Sequence, residues 1–315
     1  MQVAVLDDYQ GVALEMADWS PVLARGTVDV FRDHVVDPAE LVRRLTPYDV
    51  VVLMRERTPI PAEVVEALPR LKLIVSTGRR NPVLDVAAAR ARGITVCGTH
   101  GLSSAPAELT WALILGLARH LVTEAGNLAA GGWQTTVGAD LAGRTLGLLG
   151  LGRIGSQVAA VGRAFGMEVL AWSAHLTEQR AAECGASAVP LPTLLAGSDV
   201  VSIHLVLSDR TRGLLGANEL AMMKPTALLV NTSRGPIVDQ AALVDALEAG
   251  SLGGVGLDVY DEEPLSAHDR LRTAPRTLLT PHIGYVTEEV YRTFYGDAVE
   301  DILAFLAGAP IREVE

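Results

Sequence analysis

The sequence predicts an α/β protein that contains two doubly wound domains, each built on a parallel sheet. Three observations predict this class. Short apolar runs rich in Val, Ile and Leu alternate with longer helical patterns along the 315 residues, which is typical of parallel sheets that helices cover on both faces. The runs fall into two series, which a break at residues 99–106 separates. The length also fits two domains of ordinary size.

The apolar runs give the expected positions of the strands. The first series predicts strands at 3–7, 28–31, 49–54, 71–77 and 94–98, followed by an apolar helix at 107–121. The second series predicts strands at 144–150, 168–173, 199–205, 226–233, 254–260 and 277–283. Residues 128–134, which contain two adjacent glycines, are predicted to form a connecting loop.

A long helix is predicted after the last strand. Its apolar residues fall on one face at helical spacing, and they are Val290, Phe294, Ala298, Ile302 and Phe305. No strand follows this helix, and the two ends of a chain often lie close together. We therefore expect one domain to comprise 1–99 with 285–315, and the other to comprise 100–284.

The composition excludes several classes of protein. Lys and Arg total 26 against 37 Asp and Glu, a formal net charge of −11, whereas sequence-independent binding of nucleic acid needs a basic surface. The two distant cysteines, Cys97 and Cys184, indicate reduced thiols in a cytoplasmic protein. Neither a signal peptide nor an apolar run of about 18 residues is present, so no membrane span is expected.

A glycine pattern, "GLGRIG", follows the first strand of the second series. Gly150, Gly152 and Gly155 open a predicted helix; glycines let the backbone approach a pyrophosphate, to which the helix start presents free N–H groups. A tight turn that binds nothing is the alternative. Ser173 follows Gly155 by 18 residues, at a strand end that normally carries an acid for the ribose hydroxyls. The pattern thus predicts a dinucleotide site with an altered ribose position.

Arginines follow three of the predicted strands in this acidic chain. Arg55 and Arg57 follow one strand, Arg79 and Arg80 the next, and Arg234 a strand of the second series. Ligands of open α/β sheets bind at the carboxyl ends of strands. Any one of these arginines could be a solvated surface residue, but their repetition favours an anion pocket. Arg234 is the strongest candidate, because "NTSRG" places it between a strand and a glycine turn. Its planar fork suits a carboxylate and an adjacent keto oxygen.

Two further strand ends carry groups suited to acid–base chemistry. Asp258, Asp261, Glu262 and Glu263 follow one strand, and His282 follows the next. Histidine is the side chain most easily poised near neutral pH, and a carboxylate on its far nitrogen would orient the ring and stabilise its protonated form. A purely structural histidine is the alternative. The proline before it and the glycine two residues after it favour a shaped, functional loop.

Taken together, the motifs resemble those of the D-isomer-specific 2-hydroxyacid dehydrogenases. "GLGRIG", "NTSRGPIVD", "DVYDEEPL" and "TPHIGY" occur in that family's order, and "ELTWALILGLAR" and "DLAGRTLGLLGLGRIG" are similar to its hinge helix and to the start of its nucleotide domain. The resemblance covers nearly the whole chain. It implies a Rossmann nucleotide domain inserted into a flavodoxin-like catalytic domain that is built from both chain ends.

The resemblance also implies roles for single residues. Arg234 would bind the substrate, His282 would be the acid–base residue, and Glu263, which directly precedes a proline, would be its partner. Asp258 would hold the nicotinamide carboxamide. The candidate cofactor-binding residues are Gly150, Gly152, Arg153, Ile154, Gly155, Ser173, His204, Thr232 and Asp258. The candidate substrate-binding residues are Arg55, Thr77 and Gly78, the last two in a turn whose backbone N–H groups would take a carboxylate. No metal is expected.

Departures from the family pattern bear on the choice of cofactor. Serine at position 173 neither accepts strongly from the NAD ribose nor repels the 2′-phosphate of NADP, and His175 or Arg180 could approach such a phosphate. Ala174 stands where NADP-preferring relatives commonly have arginine, so NAD is the expected cofactor, with NADP possible. Pro106 stands where relatives usually have Val or Thr, so a hydroxyl contact is expected to be missing there.

The predicted function is hydride transfer between a nicotinamide cofactor and a small anionic 2-hydroxy acid or 2-keto acid, in a cytoplasmic homodimer. Two alternatives remain. One is a dehydrogenase of another small anion, such as phosphite, on the same scaffold. The other is a nucleotide-sensing interaction protein like the family's corepressors, which the acidic charge and the lack of disordered tails disfavour.

Overall fold

The computed structural model describes residues 1–314. The chain folds into two compact units. The first unit comprises Met1–Leu102 together with the segment that starts at Thr287, and the second comprises Ser103–Val286. The second unit is thus an insertion in the sequence of the first.

The first unit contains a five-stranded parallel sheet. Its strands are β1 (Gln2–Val5), β2 (Thr27–Val30), β3 (Val50–Leu53), β4 (Leu73–Ser76) and β5 (Thr95–Gly98). Their order is β2-β1-β3-β4-β5, the flavodoxin-like arrangement. The helices of its N-terminal segment are α1 (Ser20–Leu23), α2 (Pro38–Leu45), α3 (Ala62–Glu66) and α4 (Val86–Ala91). Every residue of β3 and β4 is buried, which explains why these strands read as continuous apolar runs.

The second unit contains a seven-stranded parallel sheet. Its strands are β6 (Thr145–Leu149), β7 (Glu168–Trp172), β8 (Ser187–Ala188), β9 (Val200–Ile203), β10 (Leu228–Asn231), β11 (Gly254–Leu257) and β12 (Thr277–Leu279). The order is β12-β11-β10-β9-β6-β7-β8, which is the Rossmann order with one added edge strand. The strand order reverses at β6 and β9, the position where such sheets bind ligands.

The α-helices of the second unit lie before and between its strands. They are α5 (Ser104–Ala118), α6 (Leu121–Ala129), α7 (Arg153–Ala164), α8 (Glu178–Glu183), α9 (Leu191–Gly197), α10 (Ala217–Met222) and α11 (Gln240–Glu248). Helix α5 is buried along much of its length and packs against α7, β10, β11 and β12. A hydrophobic core on that side of the sheet includes Trp111 and Ile114 from this helix.

The C-terminal helix α12 (Glu288–Leu306) belongs to the first unit, where it packs against α1 and β4. The Thr287 side chain accepts a hydrogen bond from Val290 N, and two glutamates occupy the first turn, so side-chain capping and the helix dipole both favour a start at this point. Four of the five predicted apolar residues of the helix are buried and Phe305 is half-buried.

The predicted fold class is confirmed by the two sheets, with differences at the ends of elements. The helix predicted at 107–121 spans Ser104–Ala118, because Pro106 is accepted in the first turn, where an N–H has no intrahelical partner, and because His120 adopts φ +50°. The predicted loop 128–134 begins inside α6. Strand β8 has only two residues, too few to produce a periodic signal. No helix within residues 1–314 is long and apolar enough to cross a membrane.

Candidate functional site

The glycine turn after β6 is built by close backbone contacts. Gly150 has φ +102°, a region that favours glycine. Its N–H donates to Trp172 O at 2.8 Å, and a Cβ atom at Gly150 would lie 2.6 Å from His204 O. The turn therefore lies between the carboxyl ends of β7 and β9.

The other two glycines of the turn have different surroundings. A Cβ atom at Gly155 would lie 2.1 Å from Gly150 O, whereas one at Gly152 would meet no atom of the described residues within 4 Å. The fold itself thus requires Gly155, while Gly152 leaves open backbone at the start of α7. That opening fits a pyrophosphate, which needs close backbone approach and free N–H groups at a helix start.

Other predicted cofactor residues surround this turn. Arg153 is exposed and Ile154 half-buried in the first turn of α7. His204 N donates to Leu149 O at 2.7 Å, and its Nε2 lies 3.0 Å from Ser202 Oγ. Burial lowers the pKa of His204 to about 4, so this histidine is neutral at pH 7. Ser173 directly follows β7 and is half-buried.

Thr232 differs in its surroundings from the other cofactor candidates. Its hydroxyl lies 2.8 Å from the Thr110 hydroxyl, which also donates to Pro106 O at 2.8 Å. These hydrogen bonds tie the end of β10 to the start of α5. The Thr232 hydroxyl is therefore engaged within the protein, and Pro106 contributes through its carbonyl.

The loop after β10 is organised by a side chain that sequence reasoning missed. Asn231 is buried; its Nδ2 donates to Arg234 O at 2.9 Å and its Oδ1 accepts from Ser233 N at 3.0 Å. A Cβ atom at Gly235 would lie 2.1 Å from Tyr260 C, so only glycine permits this approach to the loop after β11. These contacts fix the backbone that carries Arg234, whose Nη1 donates to Ser233 O at 2.7 Å.

Asp258 anchors the loop after β12. It is 1% exposed, and its carboxylate accepts from Ile283 N at 2.8 Å, Gly284 N at 2.7 Å and Thr280 Oγ1 at 2.6 Å. Burial raises its pKa, against the effect of these hydrogen bonds. Because a carboxylate has about four acceptor positions, a contact with a nicotinamide carboxamide would be its fourth.

The pair predicted for acid–base chemistry forms a direct hydrogen bond. His282 Nδ1 lies 2.5 Å from Glu263 Oε2, and Glu263 Oε1 accepts from Tyr260 N at 2.9 Å. His282 has φ +52°, a conformation that is costly for a non-glycine residue and persists where the surroundings enforce it. The Asp258 hydrogen bonds supply that enforcement. The imidazole is thereby held through Nδ1, which leaves Nε2 to face a reactant.

The loops that carry Arg234, Glu263 and His282 follow three successive strands, β10, β11 and β12. Neighbouring strands lie about 4.8 Å apart, so the guanidinium loop and the imidazole loop begin roughly 10 Å apart at the same edge. An anion-binding cation and an oriented acid–base group at this spacing suit a small anionic molecule that exchanges a proton.

The first unit holds the residues predicted to bind substrate. Arg55 has φ +55°; its N–H donates to Thr77 Oγ1 at 2.8 Å, and its Nη1 donates to Thr77 O at 3.4 Å. A Cβ atom at Gly78 would lie 1.8 Å from Arg55 Nη1, so glycine makes room for this guanidinium. Arg79 and Arg80 are exposed.

The backbone N–H groups of this turn have acceptors within the first unit. Thr77 N donates to Leu53 O at 2.9 Å, and Gly78 N donates to Thr99 Oγ1 at 2.8 Å. Both N–H groups are thus used inside the first unit, because strand pairing with β3 continues one residue past β4 and because the Thr99 hydroxyl accepts from the next residue. A carboxylate could take them only by displacing these acceptors.

No metal site accompanies these residues in the part of the chain that the structure describes. Within residues 1–314 no three His, Cys, Asp or Glu side chains are grouped so that they could hold a metal ion.

Comparison with known proteins gives the class. The sequence profile of the D-isomer specific 2-hydroxyacid dehydrogenase NAD binding domain matches residues 111–284. Glyoxylate reductase of Aeropyrum pernix is 40% identical over 259 residues, which are 79% of this chain and 77% of that protein. The chain therefore belongs to the D-isomer-specific 2-hydroxyacid dehydrogenases, a family of oxidoreductases, and the predicted resemblance is confirmed.

Two further relatives extend the comparison. The crystal structure of a phosphoglycerate oxidoreductase from Vibrio cholerae superposes with a TM-score of 0.93 at 40% identity, covering 98% of this chain and 100% of that one. D-3-phosphoglycerate dehydrogenase of Synechocystis is 37% identical over 277 residues. That match covers 87% of this chain and only 50% of the cyanobacterial protein.

The contrast between Gly152 and Gly155 leads to a prediction. Gly155→Ala should destabilise the protein by about 1–3 kcal/mol, since its Cβ overlaps backbone. Gly152→Ala should leave the unfolding temperature near that of the parent and weaken binding of a nicotinamide dinucleotide about tenfold or more, because the new methyl group would meet only the ligand. Thermal unfolding and calorimetric titration measure the two effects. Equal destabilisation by both variants would contradict the assignment.

Proposed function

We propose that the protein transfers a hydride between NAD and a small 2-hydroxy acid or 2-keto acid. The observation that carries the proposal is the 2.5 Å hydrogen bond between Glu263 and His282, at the sheet edge where the Arg234 loop also begins. The second unit serves as the dinucleotide-binding domain, expected to span 100–284. The first unit, with 1–99 and 285–315, serves as the catalytic domain that binds substrate.

Arg234 binds the substrate and stabilises the developing charge. A 2-keto acid presents a carboxylate beside a carbonyl oxygen, and the planar guanidinium fork suits both. When bound, the nicotinamide supplies or takes the hydride. As the carbonyl oxygen gains negative charge during reduction, a fixed guanidinium lowers the barrier more than a mobile cation would. Arg55, Thr77 and Gly78 remain the substrate-binding candidates of the first unit.

His282 moves the proton. In reduction, the protonated imidazole gives the Nε2 proton to the forming hydroxyl; in oxidation, the neutral imidazole accepts that proton. Glu263 on Nδ1 fixes the tautomer and stabilises the imidazolium. Asp258 acts by holding the backbone of the His282 loop, and a further contact with the carboxamide would use its remaining acceptor position.

The cofactor assignment rests on the glycine turn and on Ser173. The open backbone at Gly152 accommodates the pyrophosphate, and Arg153, Ile154, His204 and Ser173 surround it. Serine gives the ribose a neutral hydrogen-bonding partner. We therefore propose NAD as the cofactor, with NADP accepted as well. Cys97 is a buried free cysteine. Free thiols are typical of reducing compartments, which supports the proposal of a cytoplasmic location.

Turnover of a panel of 2-keto acids with reduced cofactor tests this function, and Arg234→Lys tests its central residue. The parent should reduce at least one keto acid catalytically. Arg234→Lys keeps the charge but loses the fork, so its kcat/KM should fall roughly 10²-fold or more. Arg270→Lys, which changes a surface ion pair with Asp245 and Glu248, is the control.

Two outcomes would contradict the proposal. Tight nucleotide binding without turnover of any keto acid would favour the nucleotide-sensing alternative, and turnover of phosphite alone would favour the other dehydrogenase. Near-normal kcat/KM in Arg234→Lys would remove this residue from the site.

The Glu263–His282 hydrogen bond leads to a prediction for a variant. Glu263→Gln removes the negative charge that orients the imidazole and stabilises its protonated form, so kcat/KM for reduction should fall about tenfold or more. Glu262→Gln changes the neighbouring exposed carboxylate and should keep kcat/KM near that of the parent. Equal kcat/KM in Glu263→Gln and in the parent would contradict the pairing.

The surface of α6 supports the proposal of a homodimer. The helix and the loop after it expose several large apolar side chains, and exposed apolar patches mark interfaces. They are Leu121, Val122, Leu128, Trp133 and Val137, each more than half exposed. A second copy is the partner we propose. Sedimentation velocity should give twice the chain mass of 33.3 kDa, and a monomer at micromolar concentration would contradict this.

A further inference from the structure

Two cationic or potentially cationic residues meet near the end of β7, and the catalytic scheme uses neither. Arg210 Nη1 donates to His175 Nε2 at 3.3 Å, although the residues are 35 positions apart. Both are exposed. His175 lies two residues after Ser173, so the contact flanks the position where an acid would mark an NAD site.

Arg210 is presented by a hydrogen-bonded turn. Ser208 N donates to Thr211 Oγ1 at 2.8 Å, the Thr211 hydroxyl donates to Val206 O at 2.7 Å, and Arg212 N donates to Ser208 O at 2.9 Å. These hydrogen bonds define the path of the backbone on both sides of Arg210. The backbone position of Arg210 is therefore set before any ligand binds. This reduces the entropy cost of ordering the loop when a ligand binds.

The turn lies next to the dinucleotide position. Gly150 N donates to Trp172 O, immediately before Ser173, and His204 N donates to Leu149 O. The segments that carry His175 and Arg210 thus leave the sheet on the two sides of the glycine turn. In Rossmann domains the adenosine ribose lies at the end of the strand equivalent to β7, and an arginine near it accommodates a 2′-phosphate.

The local charges also favour a phosphate. Among residues 1–314, no carboxylate lies within ion-pair distance of the Arg210 guanidinium. Arg180, another arginine of this region, instead has its Nη1 3.4 Å from Glu183 Oε2. Within the described residues, Arg210 is therefore a cation without an acidic partner in a chain of net charge −11, and Ser173 adds a hydroxyl donor without adding charge.

We propose that Ser173, His175 and Arg210 form a binding site for the 2′-phosphate of NADP. Arg210 supplies the planar fork, and Ser173 and His175 supply further donors. NAD, which has a hydroxyl at this position, keeps only the neutral contacts. The inference rests on the proposed function only in requiring a dinucleotide at the glycine turn. Arg210 replaces Arg180 as the arginine that approaches the phosphate.

Binding of nucleotide fragments tests the site without any turnover. Adenosine 2′,5′-bisphosphate and adenosine 5′-monophosphate differ only in the 2′-phosphate, and calorimetric titration at fixed ionic strength gives both affinities. The parent should bind the bisphosphate about tenfold more tightly or better, as expected for a charge-assisted contact. Arg210→Ala should abolish that difference and leave binding of the monophosphate unchanged. Arg180→Ala, which removes the same charge, should retain the difference.

Each other result would overturn the proposal. Equal affinities in the parent would show that no phosphate site exists, and an equal loss in Arg180→Ala would show a general effect of charge. If Arg210→Ala lost the binding of both nucleotide fragments, Arg210 would contribute to binding outside the 2′-phosphate position. Fragment binding does not depend on substrate. A failure of the protein to reduce any keto acid would therefore contradict the proposed function and leave the phosphate site to be judged by the binding results alone.

Ser173→Asp provides a second variant at the same position. Its carboxylate should repel the 2′-phosphate and accept from the NAD ribose, so the ratio of kcat/KM with NADPH to kcat/KM with NADH should fall at least tenfold. Bisphosphate affinity should fall with it. If the parent already rejects NADPH a thousandfold, or if Ser173→Asp leaves bisphosphate binding unchanged, the phosphate does not lie at this strand end.

Discussion

The hydrogen bonds of the buried Asp258 carboxylate are the interactions on which the geometry of the candidate site in the second unit depends. Removing a carboxylate from water is costly unless hydrogen bonds replace the lost hydration. Here two backbone N–H groups and one hydroxyl do so, and all three belong to the loop after β12. The same contacts hold His282 in its left-handed conformation. One set of hydrogen bonds therefore compensates for the burial of the Asp258 carboxylate and also orients the imidazole.

Close contacts between backbones also position the loops at the neighbouring strand ends. Gly235 brings the Arg234 loop against Tyr260, and Tyr260 N holds Glu263. Gly155 similarly brings α7 against Gly150. A side chain at either glycine would separate backbones that now touch, so each functional group is positioned by a neighbouring loop as well as by its own strand. A parallel sheet makes this possible because all of its carboxyl ends lie at one edge.

The local charge at the end of β7 depends on the neutral serine at position 173, where an acid is common in NAD sites. An acid in place of Ser173 would repel a phosphate. With serine there, His175 and Arg210 retain only each other as the partners that the structure shows. Under the proposal above, a neutral residue at this strand end lets the same Rossmann scaffold accept a 2′-phosphate, and the glycine turn keeps its geometry.

The sequence by itself determined the fold class, the three glycines, Arg234 and the Glu263–His282 pair, because apolar alternation and short motifs are local along the chain. The tertiary structure decided which donors and acceptors are already used. It showed that the N–H groups of Thr77 and Gly78 are occupied, and that Asn231 and Asp258 act as loop anchors. It also joined His175 to Arg210 across 35 residues. Such contacts depend on strand register and loop path, which bring together residues that no sequence pattern links.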